Sequence, residues 1–446
     1  ISDRLDNAGF TRLYEQDDWQ LEKGKGYYVC RNYSSVLAFR VPEAGLPAFN
    51  IVASHCDSPT FKIKENPQIT TGPYLTLNTE RYGGMIMSTW MDRPLSVAGR
   101  LIVREGGTYT QKLVNIDRDL LIIPNLAIHM DRNMNDGKKF NPQVDMLPLF
   151  ALKEEGLGFM ATVAKEAGVK EEDIIGHDLF LYNRQKGTVL GANNEFVCSA
   201  KLDDLQCAFA SMKGFIAQED VKAMSVLAVF DNEEVGSSTK QGAASTFLFD
   251  TLNRVVKALG GDENTYRKAL AHSFMISADN AHAVHPNQPG ISDPTNRPVI
   301  NKGVVIKYNA NQRYTTDAVS AAMFKGILDS SFQQQFMTGL ASFVTGATAN
   351  PIANLAAKAV GSMMGESRDP QVVAQEFIAK SAASGASLNG REAAISIGGI
   401  SGTIGNLVLT YLEMRLLGAG LKSLGGAMAD MGSVGATVGS FLTKTG

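Results

Sequence analysis

The sequence predicts an α/β protein with an open sheet, interrupted by a β-rich insertion and followed by a Gly/Ala-rich, helical tail. Three observations carry this expectation. Buried-strand runs, Ala48 to Ser54 and Met224 to Phe230, flank the chain's middle, and a helical stripe of Leu205, Ala208, Phe209, Met212 and Phe215 lies between them. Short strand-like runs separated by Gly-Gly and charged turns break the strand-helix alternation in between. After residue 325 the density of charged residues falls by about half, and Gly, Ala and Ser dominate. The expected organisation is a catalytic domain in two parts, 1–90 and 196–325, an inserted β-rich domain over 91–195, and the tail, 326–446.

Length and charge narrow the possibilities. The 446 residues carry a net charge of −3, with no basic patch or tail, which argues against a nucleic-acid partner. Cys30, Cys56, Cys198 and Cys207 show no paired spacing and read as reduced thiols of a cytoplasmic protein. The chain begins at Ile1, inside what reads as the end of a helix, so a truncated start is expected.

In the first segment, Tyr27 to Asn32 and Ser35 to Val41 are β-rich runs around an Asn-Tyr-Ser turn. The strand Ala48 to Ser54 runs into His55-Cys56-Asp57-Ser58-Pro59. A His and an Asp two residues apart at a strand end can share one face. His55 can then hold a metal while Asp57 orients its imidazole. A loop His beside a turn-forming Asp-Ser-Pro is the other reading.

In the middle segment, Ser96 to Arg104, Thr108 to Ile116 and Leu120 to Pro124 read as strands, and Leu147 to Ala167 has helical periodicity. His129 sits in the apolar run Leu126 to Met130, where a structural and a functional role both stand open.

The segment from residue 196 holds most of the candidate chemistry. Lys201-Leu202-Asp203-Asp204 opens a helix with acids in its first turn, which suits either capping or, for Asp203, metal ligation. The strand Met224 to Phe230 ends in Asp231-Asn232-Glu233-Glu234, after which Gly236 lets the chain turn. Two adjacent glutamates at a buried strand end are costly to desolvate without a compensating positive charge. On an extended segment they point in different directions, so one can face a metal and the other a water beside it. A solvated acidic turn is the alternative. Ser273 to Ala278 is a further strand, ending in Asp279. Val304 to Asn309 reads as a strand carrying Lys307, which either snorkels to the surface or meets an acidic partner. In an open α/β sheet, sites gather outside the carboxyl ends of the strands. His with carboxylates and no Cys fits zinc, manganese or cobalt in a catalytic site.

Taken in order, Ser54 to Pro59, Tyr82-Gly83-Gly84-Met85, Trp90 to Pro94, Leu126 to His129, Lys201 to Leu205, Asp231 to Ser237, Ser277 to Asn287 and Asn311 to Tyr314 resemble the bacterial aspartyl aminopeptidases. The resemblance covers residues 1 to about 325 nearly without gaps. It implies an open mixed-sheet, di-metal catalytic domain with an inserted dimerisation domain. It implies removal of N-terminal Asp or Glu from peptides. By motif match, His55 and Asp279 hold one metal, Glu234 the other, and Asp203 bridges them. Glu233 is the general base and Asp57 steers His55. His129 matches a His that reaches a neighbouring subunit's active site, and Lys307 a residue that reads the substrate's acidic side chain. A dimer-based homo-oligomer, up to a dodecamer, is implied as well.

The tail departs from that pattern. No His follows His285, so the imidazole that the family places beside Glu234's metal has no counterpart here. A pseudoenzyme, or a self-assembling binding protein with an incomplete second metal site, is the alternative function. The charge-free run Ala393 to Leu412 is rich in Gly, Ser, Thr and Asn and reads as a helix packed on itself or on another chain, not as a membrane span.

Overall fold

The structure, a computed structural model, describes residues 1–43, 46, 48–218 and 221–329. The expectations for the tail, from its helical character to the run at 393–412, lie outside the described residues. The chain divides into two units, Ile1–Arg297 and Pro298–Gly446.

The first unit opens with helix α1 (Ser2–Asn7) and strands β1 (Thr11–Leu13), β2 (Gly26–Arg31), β3 (Ser35–Arg40) and β4 (Phe49–His55). Then follow β5 (Thr60–Thr71), β6 (Tyr74–Tyr82), β7 (Leu95–Glu105), β8 (Thr108–Asn115), β9 (Leu149–Leu152), helix α2 (Phe159–Ala167), β10 (Ile174–Asn183), and a hairpin of β11 (Thr188–Leu190) with β12 (Phe196–Cys198). Helix α3 (Leu202–Ile216), β13 (Met224–Phe230), α4 (Phe247–Ala258), α5 (Glu263–Ala271) and β14 (Phe274–Ser277) complete it.

The first sheet runs β1-β2-β3-β13-β4-β14. It is mixed: β2, β3 and β13 pair antiparallel in turn, whereas β13 and β14 each run parallel to β4. Every residue of β13 is buried, as a central strand covered on both faces requires. Its side chains alternate between two cores. Leu227 and Val229 pack with Ala208, Met212 and Phe215 of α3. Val226 and Ala228 face Phe247, Leu252 and Val255 of α4 and Tyr266 of α5. Because β13, β4 and β14 are parallel, their carboxyl ends open on one edge. The ladder runs slightly beyond them, with Cys56 N–H donating to Phe230 C=O (2.9 Å) and Ala278 N–H to Ala53 C=O (2.7 Å).

The second sheet, β8-β7-β10-β5-β6-β9, is antiparallel throughout. It starts at Thr60, so β5 and β6 pair here although they precede residue 90. Phe159 and Val163 of α2 cover its apolar face at Phe61, Leu77, Leu95 and Leu179.

Three local expectations are corrected. Leu120 to Pro124 holds only isolated bridges, Leu95 to Leu121 and Ile122 to Leu149. β8 occupies that edge of β7 from Ala98 onward and leaves only its beginning open. Leu147 to Ala167 is not one helix: Leu149–Leu152 pairs with β6, Gly156 turns the chain at a φ of 78°, and α2 starts after Gly158. In the second unit, residues 304–309 form no strand. A strand needs a hydrogen-bonded neighbour, and the described residues supply none. The described cysteines are all free thiols, and among the described residues no helix is long and apolar enough to cross a membrane.

Candidate metal centre

The carboxyl edge of the first sheet gathers His55 at the end of β4, the Glu233–Glu234 turn after β13, and Asp279 after β14. The start of α3 adds Asp203. Lys201 and Asp203 leave the helical backbone conformation there, and the Asp203–Asp204 peptide bond is cis. No side-chain capping bond forms at this helix start, so Asp203 is not a cap.

His55 is the centre of the arrangement, with its side chain 7% exposed. Its Nε2 faces Asp203 Oδ1 at 3.2 Å and Asp279 Oδ1 at 3.8 Å. On the other side, Nδ1 lies 3.1 Å from Asp57 C=O and 3.3 Å from Asp57 Oδ1. Below the site, His55 N–H donates to Oδ2 of the fully buried Asp204 at 3.1 Å. His55, Asp203 and Asp279 each present one ligand atom, and these atoms lie within 4.8 Å of one another. One imidazole nitrogen with two carboxylate oxygens is the donor set of catalytic rather than thiolate-bound structural zinc, so these residues fit a divalent metal.

Asp57 does more than face the imidazole. Its Oδ1 accepts Glu233 N–H and its Oδ2 accepts Glu234 N–H, both at 3.1 Å, and Tyr82 O–H donates to Oδ2 at 2.7 Å. The glutamates therefore sit on a pinned 3₁₀ turn, Glu233–Val235, not on the extended segment expected. A 3₁₀ turn still separates neighbouring side chains by about 120°. Glu233 is exposed and Glu234 half-buried.

Electrostatics mark the site as short of positive charge. Burial raises Glu234 to about 7, with help from Glu233 and Asp57. Burial raises Glu233 as well, and Asp279 and Asp57 add to the shift beyond what His55 offsets. Burial opposes charging of His55, but hydrogen bonds to Asp279 and Asp57 and the nearby Asp204 win and raise it to about 11. Asp57 goes the opposite way: burial disfavours its charge, yet His55, Tyr82 and the two backbone N–H groups hold it below the usual carboxylate range. Carboxylates that crowd a single imidazole in this way are stabilised by a bound cation.

Other expected residues lie elsewhere. Glu234 is outside the three-ligand group. His129 sits on an exposed turn with Ile128 and Met130, not in an apolar core. Lys307 belongs to the second unit, where its Nζ lies 5.4 Å from the centre of the Tyr314 ring. Sequence reasoning assigned no role to Tyr82, Asn232 or Asp204, although each lies inside one of the motif stretches quoted above.

The family model described as "Aminopeptidase I zinc metalloprotease (M18)" matches residues 1–359, past the last motif quoted above. A "Probable M18 family aminopeptidase 2" of Clostridium novyi is 48% identical over 332 residues, covering 72% of this chain and 77% of that one. A "Probable aspartyl aminopeptidase" of Ricinus communis is 36% identical, covering 73% and 76%. Among solved structures, "Structure of S. cerevesiae mApe1 dodecamer" aligns with a TM-score of 0.64 at 28% identity, covering 74% of this chain and 78% of that one. With most of its length matched and its sheet edge carrying this donor set, the chain belongs to the M18 family of metal-dependent aminopeptidases.

Proposed function

We propose that this aminopeptidase removes N-terminal Asp or Glu from peptides, and that zinc is its metal, with manganese or cobalt as substitutes. The observation that carries the reading is the meeting of His55, Asp203 and Asp279 within 4.8 Å beside a turn bearing Glu233. In this reading His55 and Asp279 would hold one ion, Glu234 would hold a second, and Asp203 would serve both; the ions, when bound, supply Lewis-acid chemistry. A metal bound there would polarise the scissile carbonyl and acidify a water. Glu233 takes a proton from the attacking water and delivers it to the leaving amine. Asp57 keeps the His55 ring oriented. Lys307 pairs with the acidic side chain of the substrate, and His129 completes the substrate pocket of a neighbouring copy.

That last role needs a homo-oligomer. Its support is the similarity to a solved dodecamer; in this reading the inserted domain expected over 91–195 makes the dimer. The specificity rests on the aspartyl aminopeptidase relative. One observation favours a second reading, a binding protein with an incomplete second metal site: among the described residues, Glu234 stands outside the ligand group.

The test is hydrolysis of aspartyl and leucyl anilides by the folded chain with added zinc, manganese or cobalt. Faster release from the aspartyl compound is expected, with the preference reduced roughly tenfold or more in Lys307→Ala, as for loss of a charge-assisted contact. Release from neither compound favours the second reading.

A further inference from the structure

The Tyr82-Gly83 end of β6 belongs to the second sheet, yet it touches the metal centre at two places. Tyr82 O–H donates to Asp57 Oδ2 at 2.7 Å. Gly83 passes so close to Glu234 that a Cβ on it would lie 3.0 Å from Glu234 Cβ and 3.3 Å from Glu234 C=O, at a φ of 78°.

The direction of the tyrosine hydrogen bond is fixed by what lies behind it. Asn232 Nδ2 donates to the Tyr82 oxygen at 2.7 Å. The Asn232 amide is itself oriented, because its Oδ1 accepts from Thr239 Oγ1 at 2.8 Å and Gln241 Nε2 at 2.7 Å. With the phenol oxygen already accepting, its proton goes to Asp57. The ring is braced edge-on by Phe180 of β10, 5.7 Å between centres. Asp57 thus receives Tyr82 O–H and Glu234 N–H on one oxygen, and faces Glu233 N–H and the His55 ring with the other.

We infer that Tyr82 is a positioning residue for the metal centre. Through Asp57 it sets both the His55 ring and the turn that carries Glu233 and Glu234, and so ties the second sheet to the chemistry of the first. Without the hydroxyl, Asp57 keeps its two backbone donors but loses the one that locks its carboxylate plane. The ring of His55 and the turn then lose their common reference. This inference rests on the reading that His55, Asp203 and Asp279 hold a metal.

Zinc affinity of the full chain, measured by chelator competition, is compared with kcat and KM for Tyr82→Phe, Thr239→Val and Ser96→Ala. Ser96 is the control: it is buried in the second sheet, and its hydroxyl donates to Ile116 C=O at 2.5 Å, away from the site. Tyr82→Phe is expected to bind zinc about 10-fold more weakly and to lose about 10- to 100-fold in kcat, the range for partners of metal ligands, with KM within about twofold. Thr239→Val, at the far end of the relay and independent of whether Tyr82→Phe folds, gives the same pattern at about threefold, the scale of one hydrogen bond. Ser96→Ala lowers the melting temperature and leaves zinc affinity unchanged. If Tyr82→Phe and Thr239→Val keep wild-type zinc affinity and kcat, or change only as Ser96→Ala does, the inference is overturned. If the wild-type chain itself binds no zinc, the metal reading fails first.

Discussion

The two sheets of the first unit handle clustered charge in opposite ways. In the second sheet, Asp178 of β10 is closed by Lys62 Nζ at 2.7 Å and by Arg100 at 2.8 Å, and these partners hold it below its ordinary range in spite of burial. At the edge of the first sheet, Asp57, Asp203, Asp279, Glu233 and Glu234 surround one imidazole, and Glu234 rises to about 7. A charge cluster that closes on itself is architecture. One left with excess negative charge is a receptor for a cation.

The largest effect that tests this contrast is at the proposed base. Glu233→Gln should lower kcat by roughly 10³-fold, within the usual range for a general base, while zinc stays bound. Steady-state kinetics together with metal analysis check both halves. Activity within tenfold of wild type would remove Glu233 from that role.

A pH experiment separates the sheets next. In metal-free protein, Glu234 is raised from 4.5 to about 7 and His55 from 6.5 to about 11, so the folded state holds more protons than the unfolded state above about pH 4.5. Stability of the stripped protein should therefore fall as pH rises from about 5 to about 8. Zinc, which needs these groups deprotonated, should reverse the slope. Asp178 carries the opposite sign: its lowered value stabilises above its unfolded range, and that contribution disappears only in acid. Thermal melts across pH, with and without zinc, read the slopes directly; equal slopes in both conditions would contradict the account.

The smallest effect is at the closed cluster. Asp178→Asn should cost about 1 kcal/mol, since its partners are partly solvated, and should leave zinc affinity untouched. Chemical denaturation measures the first quantity and metal titration the second.

Much of this edge was legible in the sequence because most of its donors follow strands, whereas Asp203 opens a helix. β4 ends in His55, β13 leads into Glu233-Glu234, and β14 into Asp279, and strand ends are where an open sheet places its ligands. The geometry between them was not legible. Nothing local says that Tyr82, from the other sheet, donates to Asp57, or that Asp57 pins the glutamates into a 3₁₀ turn. These contacts join residues far apart in sequence, and no periodicity encodes them. Asp204 was equally hidden, since a fully buried carboxylate next to an exposed one reads as a pair of capping acids. The strand expected at residues 304–309 failed for a related reason: an apolar β-branched run states a preference, but only a neighbouring strand satisfies its backbone.

The central claim is that the open cluster holds a metal and the closed one does not. Zinc per chain after equilibrium dialysis tests it directly, with wild type compared to Asp203→Asn and Asp178→Asn. The account predicts zinc bound to wild type and to Asp178→Asn, and lost or greatly weakened in Asp203→Asn. Equal zinc in all three, or none in the wild type, would contradict it.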